Sequence, residues 1–85
     1  IGHWLGIDLH DTRSVERSTR LQEGMVLTVE PGLYVPDDPA FPKAFRGLGM
    51  RVEDDVAVRE HDNVVLSADA PKEVADIEAV CGGRI

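Results

Sequence analysis

Between Met25 and Glu30 apolar and polar positions alternate. Met25, Leu27 and Val29 share one face, and Val26, Thr28 and Glu30 share the other. A period of two predicts a β-strand. Pro31 has no N–H to give to a ladder and Gly32 permits a sharp turn, so the pair ends the strand and leaves Glu30 at its last position. "MRVEDDVAVRE" (50–60) predicts a second strand, with Val52, Asp54, Val56 and Val58 on one face and Arg51, Glu53, Asp55 and Ala57 on the other. His61–Asn63 is a turn, and Val64–Ser67 returns as a short strand to close a hairpin. The pattern then changes to helical spacing in "APKEVADIEAVCGG" (70–83). Val74, Ile77 and Cys81 recur on one face with Val80 at its edge, and Glu73, Asp76 and Glu78 form the wet side. Pro71 suits a first helical turn, where a missing N–H costs little, and Gly82 and Gly83 stop the helix.

Other stretches carry no period. Residues 1–11 hold Gly2 and Gly6 and predict an irregular segment or short strand, and 12–20 predict a loop with solvated charges. Residues 36–49, with three prolines and two glycines, predict a long loop, a kind of segment that is often functional. Phe41 and Phe45 are expected to pin it to the surface.

Composition narrows the function. An 85-residue chain is one small domain or a piece of a larger one, and buries a modest core. A net charge of −7 argues against nucleic acid and anionic membrane as partners, because both need a basic face. No apolar run is long enough to span a bilayer. The chain opens on Ile1 without a charged and then apolar leader, so it is expected to be the inside or tail of a longer product. Cys81 is the single cysteine. It forms no internal disulfide and is expected to be a small packing residue.

The candidate chemistry lies in His3, His10, Glu30, Arg51 and Glu53. A carboxylate on a strand with buried neighbours is costly unless it is paired, hydrogen-bonded or bound to a cation. Arg51 and Glu53, two apart on one strand, are expected on one face, where the guanidinium could orient the carboxylate. Imidazole and carboxylate without thiolate suit Mn²⁺, Co²⁺ or Zn²⁺. HExxH, GxSxG, phosphate-loop and GxGxxG motifs are absent from the sequence. Each residue also has a plain reading. Either histidine can be a satisfied structural side chain, Glu30 a strand-end acid, Glu53–Asp55 an exposed acidic edge, and Arg51 a surface ion pair.

The combination changes that balance. "GHWLGIDLHD", "LQEGMVLTVEPGLYV" and "FRGLGMRVEDDVAV", in that order, closely resemble the C-terminal catalytic part of the aminopeptidase P family. The resemblance runs from Ile1 to about Glu78. It implies an α+β fold, the C-terminal half of a pita-bread (creatinase-like) domain, with a curved antiparallel sheet and a C-terminal helix over residues 1–85. It also implies removal of the first residue from peptides with proline second, by a hydroxide shared between two Mn²⁺ ions, with Co²⁺ or Zn²⁺ possible in their place.

By position, the resemblance makes His3, Glu30 and Glu53 metal ligands, with Glu53 bridging. Glu30 also handles the proton of the attacking water. His10 is a catalytic and substrate-side histidine, Tyr34 a substrate-side residue and Arg51 a supporting catalytic residue. Two further aspartate ligands and another histidine would come from sequence upstream. The 85 residues alone are therefore expected to bind metal weakly and not to catalyse. The implied partners are a peptide with an Xaa-Pro N-terminus and a homo-oligomeric parent enzyme. The tail "LSADAPKEVADIE" resembles the mitochondrial branch, with the cytoplasm as the alternative. Xaa-Pro dipeptidase shares part of the pattern and would differ by cutting only dipeptides. A non-catalytic creatinase-like fragment would bind partners regardless of Glu53.

Overall fold

The computed structural model describes residues 2–6 and 15–83. Two long segments of the chain run antiparallel to each other. One contains β1 (Val26–Val29) and β2 (Gly32–Tyr34), and the other β3 (Gly49–Arg51) and β4 (Asp54–Ala57). β1 pairs with β4, β2 pairs with β3, and β5 (Val64–Val65) adds to the far side of β4. The outcome is a three-stranded sheet β1-β4-β5 and a two-stranded sheet β2-β3, both antiparallel.

The ladder breaks between the two sheets without changing register. Val29 lies opposite Asp54 on one side of the gap, and Gly32 lies opposite Arg51 on the other. Glu30 therefore faces Glu53, and Pro31 faces Val52. The proline explains the break, since it has no N–H to donate. Across the gap its carbonyl accepts the Val52 N–H at 3.1 Å. The predicted second strand is thus two strands in separate sheets, and Gly32–Tyr34 is a strand rather than only a turn exit.

The N-terminal segment lies along the free edge of β1. Trp4 bridges Leu27, the Thr28 N–H donates to the His3 carbonyl at 2.8 Å, and the Leu5 N–H donates to the Val26 carbonyl at 3.2 Å. Trp4 is buried at 9 % exposure and donates its indole N–H to the Val15 carbonyl at 3.0 Å. Thr28 is buried at 1 %. Among the described residues these two make the core. Leu5 is exposed, and Ile7 and Leu9 lie outside the described residues.

The long loop holds a short 3₁₀ turn at Lys43–Phe45 and closes on itself through the Val35–Leu48 and Gly47–Val35 backbone bonds. Phe41 and Phe45 are exposed, which corrects the expectation that they pin the loop. α1 (Val74–Cys81) starts three residues after Pro71, with Glu73 as its N-cap, so Pro71 stands outside the first turn. Gly82 caps its end and Gly83 follows at φ +69°, a left-handed conformation that glycine adopts without strain. The apolar face of α1 is only patterned, not buried. Val74, Ile77 and Val80 are exposed, and so is Cys81, which packs into no core.

A polar latch ties the connection between β5 and α1 to the start of β4. Ser67 Oγ donates to Asp54 Oδ1 at 2.7 Å and Lys72 Nζ donates to the same oxygen at 3.0 Å. Hydrogen bonding from Ser67, then hydrogen bonding and charge from Lys72, hold the Asp54 carboxyl below its ordinary value, against an opposing effect of burial. An acid whose pKa is lowered by folding stabilises the fold fully above its unfolded pKa of about 3.9. That contribution is lost as pH falls through the lowered folded value. Asp54→Asn is therefore expected to be less stable than the native protein at neutral pH. The gap should close as pH drops below about 4, read from denaturant midpoints across that range.

Candidate metal centre

Three neighbouring segments deliver three side chains to one place, and Glu30 stands just past the end of β1 rather than at its last position. His3 comes from the segment on the edge of β1, Glu30 from the residue after β1, and Glu53 from the residue before β4. In an antiparallel sheet directly opposed residues share a face, and Thr28 and Glu30, two apart, share one as well. One ligand atom each from His3, Glu30 and Glu53 lies within 4.8 Å of the others. His3 Nε2 stands 3.1 Å from Glu30 Oε2.

The backbone sets the histidine's tautomer. His3 Nδ1 lies 3.0 Å from the Trp4 carbonyl oxygen. A carbonyl only accepts, so Nδ1 carries the proton. Nε2 then faces Glu30 Oε2, so the protonated ring pairs with the carboxylate and the neutral ring can offer Nε2 to a cation. A ring whose other nitrogen is held by a backbone carbonyl is the usual arrangement of a metal-ligating histidine. The main chain beneath is fixed too, since the His3 N–H donates to Thr28 Oγ1 at 3.0 Å.

The carboxylates complete the case for a cation. Glu30 Oε2 is buried and, His3 Nε2 apart, has no hydrogen-bond partner among the described residues. Hydrogen bonding from Thr28 first, then the charge of His3, hydrogen bonding with Glu53 and the charge of Arg51, hold the Glu30 carboxyl below the usual range despite burial. Glu53 is pushed the other way, first by burial and then by the charge of Glu30. Like charges directly opposite on a sheet are destabilising, and an acid beside an ionised acid has a raised pKa. A divalent ion among the three atoms would meet the buried oxygen, the imidazole nitrogen and the repulsion together. One nitrogen and two carboxylates without thiolate fit a hard or borderline divalent metal.

Arg51 does something other than expected. Its guanidinium donates to the Glu30 carbonyl and to Tyr34 Oη (3.0 Å), and Nη1 lies 3.9 Å from Glu30 Oε1. The sequence reading set it beside Glu53, two residues along one strand. The register runs unchanged across the gap, and from its place opposite Gly32 the Arg51 guanidinium reaches Glu30 on the facing strand. Tyr34 is its clamp, with the guanidinium 5.3 Å from the ring centroid. Gly32 and Gly49 form the floor here, because a Cβ on Gly49 would lie 2.4 Å from Tyr34 Cδ1 and one on Gly32 would lie 2.9 Å from the Arg51 guanidinium carbon. His10 lies outside the described residues. The Asp54–Ser67–Lys72 latch behind Glu53 was missed in the sequence. Its three members are far apart in the chain and belong to no spacing motif.

Comparison with known proteins follows from this geometry. The sequence model of metallopeptidase family M24 matches residues 1–60. Xaa-Pro aminopeptidase 3 of Rattus norvegicus is 57 % identical over 82 residues, covering 95 % of this chain and 16 % of the relative. The mitochondrial intermediate cleaving peptidase 55 of Arabidopsis thaliana is 45 % identical over 80 residues, covering 94 % and 16 %. The crystal structure of Icp55 from Saccharomyces cerevisiae superposes with a TM-score of 0.90 at 45 % identity, covering 100 % of this chain and 20 % of that one. The chain thus spans about a sixth of the length of the curated relatives it matches. Its antiparallel sheets and terminal helix are a part of the pita-bread fold.

Proposed function

This chain belongs to metallopeptidase family M24, and on that premise we propose that it supplies three metal ligands, His3, Glu30 and Glu53, to an Xaa-Pro aminopeptidase. The observation that carries the reading is the convergence of the three ligand atoms within 4.8 Å of one another, with the buried Oε2 of Glu30 among them. The names of the relatives supply the substrate class: peptides whose second residue is proline. The native ion is proposed to be Mn²⁺, two per complete site, because the donor set has no thiolate to favour a softer metal. When bound, such ions supply a nucleophilic water at neutral pH and polarise the scissile carbonyl.

The residues of this chain have separate tasks. His3 offers Nε2, its ring held by the Trp4 carbonyl. Glu30, kept ionised by its surroundings, accepts the proton of the attacking water. Glu53 would be a ligand to the bound ions. Arg51 and Tyr34 hold the Glu30 backbone and carboxylate in place. His10 is assigned donation to the developing oxyanion. Residues 1–85 are the C-terminal part of the catalytic domain, and the mitochondrion is its proposed compartment, as the name of the Arabidopsis relative has it.

The test is hydrolysis of Xaa-Pro-Xaa tripeptides beside Xaa-Pro dipeptides, before and after chelation. The protein is expected to release the first residue of the tripeptides, to lose at least about a hundredfold of its rate on chelation, and to regain it with Mn²⁺. Cleavage of dipeptides alone would make it a prolidase. Activity untouched by exhaustive chelation would overturn the metal centre.

A further inference from the structure

We infer that Lys72 and Ser67 are positioning residues for Glu53, acting through Asp54. The inference rests on the reading of Glu53 as a metal ligand and adds to it the device that keeps that ligand in place. Glu53 stands in the gap between β3 and β4 and faces Glu30 across it. Two carboxylates are held side by side there, so the position of each depends on the backbone that carries it. At the gap the Val52 N–H bond to the Pro31 carbonyl remains, and Pro31 can donate none in return.

The restraint lies on the reverse face. Consecutive residues of an extended chain point to opposite faces, so Asp54 points away from the site. Asp54 Oδ1 accepts from Ser67 Oγ at 2.7 Å and from Lys72 Nζ at 3.0 Å. Ser67 Oγ in turn accepts the Asp55 N–H at 2.9 Å. Lys72 Nζ also donates to the Ser67 and Ala70 carbonyls, at 3.3 and 2.9 Å, so its three protons have three acceptors. Lys72 and Asp54 side chains are about three-quarters shielded from water. An isolated surface Lys–Asp pair contributes little. This pair is part of a closed, partly buried network in which each member holds the next. The network grips the two residues that follow Glu53 and anchors them to the segment leading into α1.

Partners bonded directly to a ligand typically set metal affinity by 10- to 100-fold, and a group acting through the neighbouring Asp54 is expected at the low end of that range. The experiment uses the intact protein as it occurs in the cell. Co²⁺ binding is followed by its d–d absorption, Mn²⁺ affinity by calorimetry, and stability by thermal melting. Lys72→Met is expected to weaken Mn²⁺ binding about tenfold and to alter the Co²⁺ spectrum, and Lys72→Arg, which restores the charge, is expected to recover both. Ser67→Ala keeps the ion pair and decides the matter if Lys72→Met does not fold; it should weaken binding in the same direction. A folded Lys72→Met protein with native affinity and spectrum, even at a lower melting temperature, would show the latch to be structural only and overturn the inference. Failure of the native protein to give any Co²⁺ spectrum would overturn the metal reading itself, and the inference with it.

Discussion

Glu30→Gln is expected to weaken Mn²⁺ binding by more than about a hundredfold and to abolish turnover, with the fold retained. Loss of a group one step removed from a metal ligand already costs 10- to 100-fold, and removal of a direct ligand should exceed that. Glutamine keeps the size of the side chain and one oxygen, so packing against Thr28 is preserved. It removes the charge, however, and can turn an N–H toward His3 Nε2, now 3.1 Å from Oε2. The amide would then hold the imidazole nitrogen that a cation needs. The cluster would lose its reason to bind a cation and gain an internal hydrogen bond. Calorimetric titration with Mn²⁺ checks this, alongside a melting curve with metal removed. There the variant should be no less stable than the native protein, because the repulsion between residues 30 and 53 is gone. Native Mn²⁺ affinity in Glu30→Gln would remove Glu30 from the ligand set.

Gly2→Ala is expected to cost about 3 kcal/mol or more, an effect at the top of the range for overpacking. A Cβ at residue 2 would lie 1.8 Å from the Thr28 carbonyl oxygen and 2.8 Å from its carbon. Both are main-chain atoms of β1 and cannot turn aside as the end of a side chain would. The N-terminal segment would have to lift away. The His3 N–H bond to Thr28 Oγ1 and the Thr28 N–H bond to the His3 carbonyl would go with it. Stability and the site are therefore expected to fail together. The check is a denaturant midpoint with an Mn²⁺ titration on the same sample. A native midpoint would mean that the edge segment moves freely and that His3 is placed by something other than β1.

Gly2 illustrates how sequence and structure divide the explanation. "GHWLG" marks the residue types, but nothing in it says that Gly2 lies against Thr28. Arg51 is a second case. Alternation set it beside Glu53, and the structure shows its guanidinium reaching across to Glu30 and Tyr34, because alternation along one strand does not say which residues the facing strand presents. The apolar stripe of α1 is a third. Its spacing was right and its burial was not, since a stripe shows which face is apolar and not whether another element reaches it.

The sequence by itself determined the elements and the chemistry on offer. The two-residue period made the strands, Pro31 placed the break, the Gly82–Gly83 pair ended the helix, and three motifs carried one histidine and two glutamates of a metallopeptidase. Those are local properties, fixed by backbone sterics and side-chain alternation within a few residues. Only the tertiary structure decided that Glu30 faces Glu53, that the Trp4 carbonyl turns Nε2 of His3 toward Glu30, and that Asp54 is gripped from behind by Ser67 and Lys72. These depend on register between strands more than twenty residues apart, and a shift of one residue would send each of those side chains to the other face.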